Sequence, residues 1–193
     1  MAASTENASE FGDSFVKLRF DLTLSDWFAP FNNATLDAAD ADLGSSGVLL
    51  IPGTDLLLGG GKEGKLYVLS RNDLGHFNAG DYSQIVQSFY VNPGHEIHGG
   101  PLFWSGPLGP CVYVWPESDF LKPYRFRAGS FQTTPVSVST TTTPGTGIVW
   151  ACHPYDKDAN QQVVSGIVYA YDASDLTKEM WNSKQNSARD DPQ

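Results

Sequence analysis

The sequence predicts an all-β chain of repeated antiparallel hairpins, on three observations. First, one hairpin pattern returns three times along the 193 residues. It reads Leu56-Leu57-Leu58-Gly59 followed by Gly64-Lys65-Leu66-Tyr67-Val68-Leu69-Ser70. It returns as Cys111-Val112-Tyr113-Val114-Trp115 followed by Phe120-Leu121-Lys122-Pro123-Tyr124-Arg125-Phe126. It returns again as Gly147-Ile148-Val149-Trp150-Ala151 followed by Gly166-Ile167-Val168-Tyr169-Ala170-Tyr171-Asp172. Each copy is an apolar strand, a polar turn and a second strand carrying a tyrosine. Second, Tyr67, Tyr124 and Tyr169 lie 57 and 45 residues apart, close to the repeat length of a propeller blade. Third, 19 glycines and 12% aromatic residues suit a turn-rich β protein with a packed core. The expected architecture is a β-propeller of four-stranded antiparallel blades, about three to four of them, in an incomplete or small ring.

The elements follow in order. Residues 1–13 are small and polar and are expected to form a disordered leader. Residues 14–20 alternate as a strand, with Phe15, Val16, Leu18 and Phe20 around Lys17 and Arg19. Leu22, Leu24, Trp27 and Phe28 continue this β-rich start. Residues 32–47 read as a loop with one helical turn at 35–39. Residues 47–51, 55–60 and 65–70 read as three consecutive strands, separated by Pro52-Gly53 and Gly59-Gly60-Gly61 turns. Residues 84–90 form a further strand, and 101–104 and 109–115 a pair around Gly106-Pro107. The Ser/Thr tract at 136–143 has two valines as its only large apolar residues and reads as a poorly anchored loop or a degraded strand. Blades are expected over 14–182, and a polar tail over 183–193.

Charge narrows the function classes. A net charge of −10 comes from scattered carboxylates, with no Lys/Arg cluster to offset it. Nucleic-acid binding is therefore not expected, nor is electrostatic docking on anionic lipid. No apolar stretch approaches the roughly 20 residues of a membrane helix. Residues 1–13 have neither a basic nor an apolar signal-peptide region. Cys111 and Cys152 are the only cysteines. Two buried free thiols are expected, with a disulfide between neighbouring blades as the alternative.

The run Gly166-Ile167-Val168-Tyr169-Ala170-Tyr171-Asp172-Ala173-Ser174-Asp175, followed by Met180-Trp181, resembles a blade of the quinoprotein-like β-propellers. That family's blade ends in A-x-D-x-x-T-G-x-x-x-W. Ala170 and Asp172 match it, Asp175 and Leu176 stand in place of its Thr and Gly, and Trp181 falls one position late. Gly64-Lys65-Leu66-Tyr67-Val68-Leu69 is similar to the same strand, and His98-Gly99-Gly100-Pro101-Leu102-Phe103-Trp104 to the approach to a following blade. The resemblance covers roughly residues 45–182 and implies a periplasmic or secreted setting. It also raises closure, because the family's rings have more blades than this chain holds. The chain then reads as a piece of a larger propeller, as a compact four-bladed variant, or as a subunit completed by self-association through open blade edges.

Several polar clusters are candidates for chemistry. In Gly94-His95-Glu96-Ile97-His98-Gly99-Gly100, His95, Glu96 and His98 have the ligand types for a divalent transition metal. On a strand the two imidazoles face opposite sides, so a turn is needed to bring them together. A backbone hydrogen bond from His98 is the alternative. Asp40 and Asp42, with Asp37, precede Gly44 and offer hard oxygen ligands for Ca²⁺, without the glutamate of an EF-hand. Solvated loop carboxylates are the alternative there, as they are for Asp156 and Asp158. Leu58-Gly59-Gly60-Gly61-Lys62-Glu63-Gly64-Lys65 leads into a strand, not a helix, and reads as a hairpin turn and not a phosphate loop. Asn7-Ala8-Ser9 and Asn33-Ala34-Thr35 are formal glycosylation sequons.

The functional expectation is a quinoprotein-like propeller segment serving as a scaffold or binding surface, without a self-sufficient active site. One alternative is a pyrroloquinoline-quinone-type sugar or alcohol dehydrogenase, with His95, Glu96 and His98 near its site. The other is a metal-dependent hydrolase or lactonase on a propeller, using Asp40, Asp42 or His98 as ligands. Ca²⁺ or another divalent metal ranks ahead of the quinone as a cofactor, and no family catalytic residue maps onto this sequence.

Overall fold

The computed structural model describes residues 11–107, 109–133, 147–155 and 162–190. The Ser/Thr tract at 136–143 and the Asp156/Asp158 cluster lie outside them. Among the described residues, 11–103 and 111–133 form one compact unit, and 104–107, 109–110, 147–155 and 162–190 a second.

The chain is all-β, as expected, and its described strands form four antiparallel sheets. Strands β1 (Phe15–Leu18) and β2 (Leu24–Phe28) make a hairpin. A short helix, α1 (Asn33–Ala38), and a 3₁₀ turn (Leu43–Ser46) follow where the sequence placed a loop with one helical turn. Strands β3 (Val48–Leu50), β4 (Leu56–Gly60), β5 (Lys65–Ser70) and β6 (Gln87–Tyr90) form the first four-stranded sheet, in chain order. Strands β7 (Leu102–Gly106), β8 (Gly109–Val114), β9 (Lys122–Arg127) and β10 (Ser130–Phe131) form the second, also in chain order. Strands β11 (Ile148–Pro154), β12 (Gly166–Asp172) and β13 (Asp175–Asn182) form the third. One turn of helix, α2 (Ser187–Asp190), lies in the segment read from sequence as a polar tail. Consecutive strands pairing in order is the arrangement of a blade, but among the described residues none of the four sheets closes on itself.

Period-two alternation explains why the first sheet is sealed. In its two central strands Leu58 pairs with Val68, and Leu57 with Leu69. Leu58, Leu66 and Val68 therefore share one face and pack against Val112, Val114, Tyr124 and Phe131 of the second sheet. Leu57, Tyr67 and Leu69 share the other and pack against Phe15, Phe28 and Leu74. Each fully buried leucine or valine contributes about 1.5–3 kcal/mol of apolar transfer. A pair of hydrogen bonds from the Gln87 side-chain amide joins the first two sheets: Gln87 Nε2 donates to Phe131 O and Phe131 N donates to Gln87 Oε1, both at 2.8 Å.

Gly59 and Gly60 close β4, as the strand read at 55–60 has them, and the turn read at Gly59-Gly60-Gly61 falls instead at residues 61–64. A Cβ on Gly59 would sit 2.6 Å from the Phe15 ring and 2.7 Å from Gly47 O, so this glycine serves close approach and not a bend. Strand β10, two residues long, is too short to leave a periodic signal.

Candidate functional site

Among the described residues a connected polar cluster is built on β5 and the turn before it. Glu63, Lys65 and Tyr67 are two residues apart, so alternation sets them on one side of the hairpin. Register places Tyr90 of β6 opposite Lys65. Asn32 and Tyr82 come from distant loops, 31 residues before Glu63 and 50 residues after Asn32.

Glu63 is the hub. Its Oε1 accepts from Asn32 Nδ2 at 3.0 Å, Tyr90 OH at 3.0 Å and Lys65 Nζ at 3.2 Å. Its Oε2 accepts from Tyr67 OH at 2.9 Å. Tyr82 OH donates to Asn32 Oδ1 at 2.8 Å. The Tyr67 and Tyr82 oxygens also lie 3.2 Å apart. Each phenol has one proton, so this last contact competes with the other two. The Lys65 ammonium sits 4.4 Å from the Tyr90 ring centroid and 4.9 Å from that of Tyr82, within cation–π range.

The electrostatics fix protonation states. Burial works against the Lys65 charge, but the Tyr90 hydroxyl, Tyr82 and Glu63 outweigh it and hold its pKa above the ordinary lysine value. Burial pushes Tyr67 up, reinforced by Tyr82 and by the Glu63 charge. Burial also pushes Tyr82 up, against the opposing pull of Tyr67 and Lys65. At neutral pH the lysine is charged and these two phenols are neutral, so none of the three is a proton acceptor. The cluster is a partly buried, hydrogen-bonded ion pair pinning a turn to two loops.

The residues singled out from sequence are distributed otherwise. Glu96 and His98 do meet, with Oε2 and Nε2 2.6 Å apart. His95 is exposed, outside that pair. Backbone bonds and a buried side chain set this segment: Ile97 is buried, its N donates to Gly61 O, and Glu117 N donates to Glu96 O at 2.8 Å. Asp40 and Asp42 converge on Lys62, whose Nζ lies 3.0 and 2.6 Å from their Oδ2 atoms. That ammonium stands where a cation would, and the two carboxylates hold its pKa above the ordinary lysine value. Asp37, in α1, is exposed. Among the described residues no three His, Cys, Asp or Glu side chains are grouped to hold a metal ion. The arrangement at Asp40 and Asp42 does not fit Ca²⁺ unless Lys62 is displaced.

Both cysteines are free. Cys111 is buried as expected, and burial pushes its thiol up against the opposing charge of Arg125. Cys152 is exposed, contrary to expectation, because it falls on the outward positions of β11 with Ile148 and Trp150. Asn33 of the second sequon is buried at the start of α1. Sequence reasoning used Tyr67 as a repeat marker and read Glu63 and Lys65 as part of a hairpin turn, without joining the three into one cluster, although their alternation was visible. A scan against protein-family models and searches of curated proteins and of solved structures find no match for this chain.

Proposed function

We propose that the chain is a propeller-type segment that works as a scaffold and binding surface, with its polar centre spent on holding the fold. The observation that carries this reading is the Glu63 cluster. Its carboxylate accepts from four donors, and its lysine, the buried Tyr67 and the half-buried Tyr82 are held in inert protonation states at neutral pH. Stacking of consecutive four-stranded sheets on one core supports the propeller part of the reading. Among the described residues no helix is long and apolar enough to cross a membrane.

The test is loading with pyrroloquinoline quinone and Ca²⁺, followed by gel filtration and assay with alcohols and sugars. The scaffold reading expects all quinone in the free fraction and no dye reduction. Stoichiometric retention with turnover would overturn it in favour of a quinoprotein enzyme.

A further inference from the structure

Among the described residues one carboxylate and three aromatic rings surround the ammonium of Lys65. Glu63 Oε1 lies 3.2 Å from Lys65 Nζ. The ring centroids of Tyr90, Tyr82 and Tyr67 lie 4.4, 4.9 and 5.9 Å from the same nitrogen. The Tyr67 and Tyr82 planes meet at 70°, so the rings approach the cation from different sides. The walls are also held from behind. Phe28, fully buried, packs on Tyr67 and Tyr82 with centroids 5.4 and 6.4 Å away, and Phe31 lies 4.7 Å from Tyr82. Hydroxyl bonds fix the outer ends of the rings: Tyr67 and Tyr90 donate to Glu63, and Tyr82 donates to Asn32. An ion pair with Glu63 accounts for one of these four walls and leaves the three rings to be explained.

We infer that Glu63, Tyr67, Tyr82 and Tyr90 form a binding site for an alkylammonium group, and that Lys65 is the ligand the chain itself supplies. This rests on the reading of the cluster as a fold-holding centre and names what that centre recognises. Tyrosine faces attract a cation through the ring quadrupole, most strongly where water is excluded, and the Lys65 side chain is only 8% exposed. Glu63 adds the opposite charge. The site selects by shape as well. A compact ammonium fits among rings set at steep angles, whereas a planar guanidinium wants a parallel ring or a two-oxygen fork. Glu63 offers no free fork, because its Oε2 accepts from Tyr67. The hairpin explains why the ligand is internal: Glu63, Lys65 and Tyr67 alternate onto one side of it, and register sets Tyr90 opposite Lys65. A tethered ligand has a high effective concentration, so a free amine does not displace it from the intact chain.

The test empties the site and refills it. Lys65→Ala removes the ligand and leaves the walls, n-propylammonium supplies the missing atoms, and n-propanol is its neutral counterpart. Calorimetry is expected to show propylammonium binding the variant at least about tenfold more tightly than propanol or guanidinium, with no binding to the wild-type chain. In the same background, Tyr82→Phe/Tyr90→Phe keeps both rings and should keep the binding. Tyr82→Leu/Tyr90→Leu keeps Glu63 but should weaken binding at least about tenfold. No binding of propylammonium, equal binding of propanol, binding unchanged by the leucine pair, or equal binding to the wild-type chain would overturn the inference. If Lys65→Ala does not fold, proton NMR of the wild-type chain decides. The Lys65 Cε protons are expected upfield of those of the other lysines, shielded by the ring faces, and an ordinary lysine position would overturn the inference. None of these outcomes bears on the quinone-loading result, so the scaffold reading stands or falls separately.

Discussion

Strands β5 and β12 are two copies of one sequence pattern, and they differ in what covers them. Gly64, Leu66 and Tyr67 correspond in the repeat to Gly166, Val168 and Tyr169. In β5 every residue but the last is buried, with Leu66 at 0% and Tyr67 at 1% exposure. In β12 buried and half-buried residues mix, and Val168, Tyr169 and Tyr171 are all half-buried. There the aromatic rings stack along the sheet instead: His153 on Tyr169 and Tyr169 on Tyr171, each pair 5.5 Å apart. The difference teaches that the hairpin pattern specifies the strands, while the layers above and below decide how much stability each position carries.

The largest expected effect is in the core. Leu66→Ala should cost about 2–5 kcal/mol in denaturant unfolding. Val168→Ala, at the corresponding half-buried position, should cost about 1 kcal/mol. Equal costs would break the comparison. Glu63→Gln removes the charge opposite a nearly buried Lys65 and should cost about 3 kcal/mol. Exposed Glu179→Gln on β13 should stay within about 0.5 kcal/mol. Gly64 has φ of +76°, and a Cβ there would lie 2.0 Å from Asn92 O. Gly64→Ala should therefore cost about 2 kcal/mol or more. Gly166→Ala meets nothing closer than 3.9 Å and should be neutral or slightly stabilising.

How much of this was legible in the sequence follows from the same physics. Strands β3, β4 and β5 were readable because apolar runs and glycine-rich breaks are local signals. The need for a glycine at position 59 was not, because its reason is the Phe15 ring, which arrives from another sheet. Alternation of Glu63, Lys65 and Tyr67 was visible, but the approach of Asn32 and Tyr82 depends on distant loops. Asp40 and Asp42 looked like cation ligands because nothing local announces that Lys62 turns back onto them.

The smallest effect concerns alkaline pH. Burial, with Asp119 nearby, pushes Tyr124 up to about 12. Its unfolded counterpart ionises near about 10, so the folded state favours the neutral phenol. That contribution is complete below about pH 10 and is lost as pH rises through about 12. Absorbance titration at alkaline pH should show Tyr124 ionising later than a free tyrosine. Tyr124→Phe should reduce the loss of stability over that window.

Residue-resolved hydrogen exchange under native conditions tests the central claim most directly, which is that β5 lies in a sheet covered on both faces while β12 and β1 are less covered. The account predicts that amides of β5 exchange only through global unfolding, while those of β12 and β1 exchange through smaller local openings. Protection in β12 and β1 equal to that of β5 would contradict it.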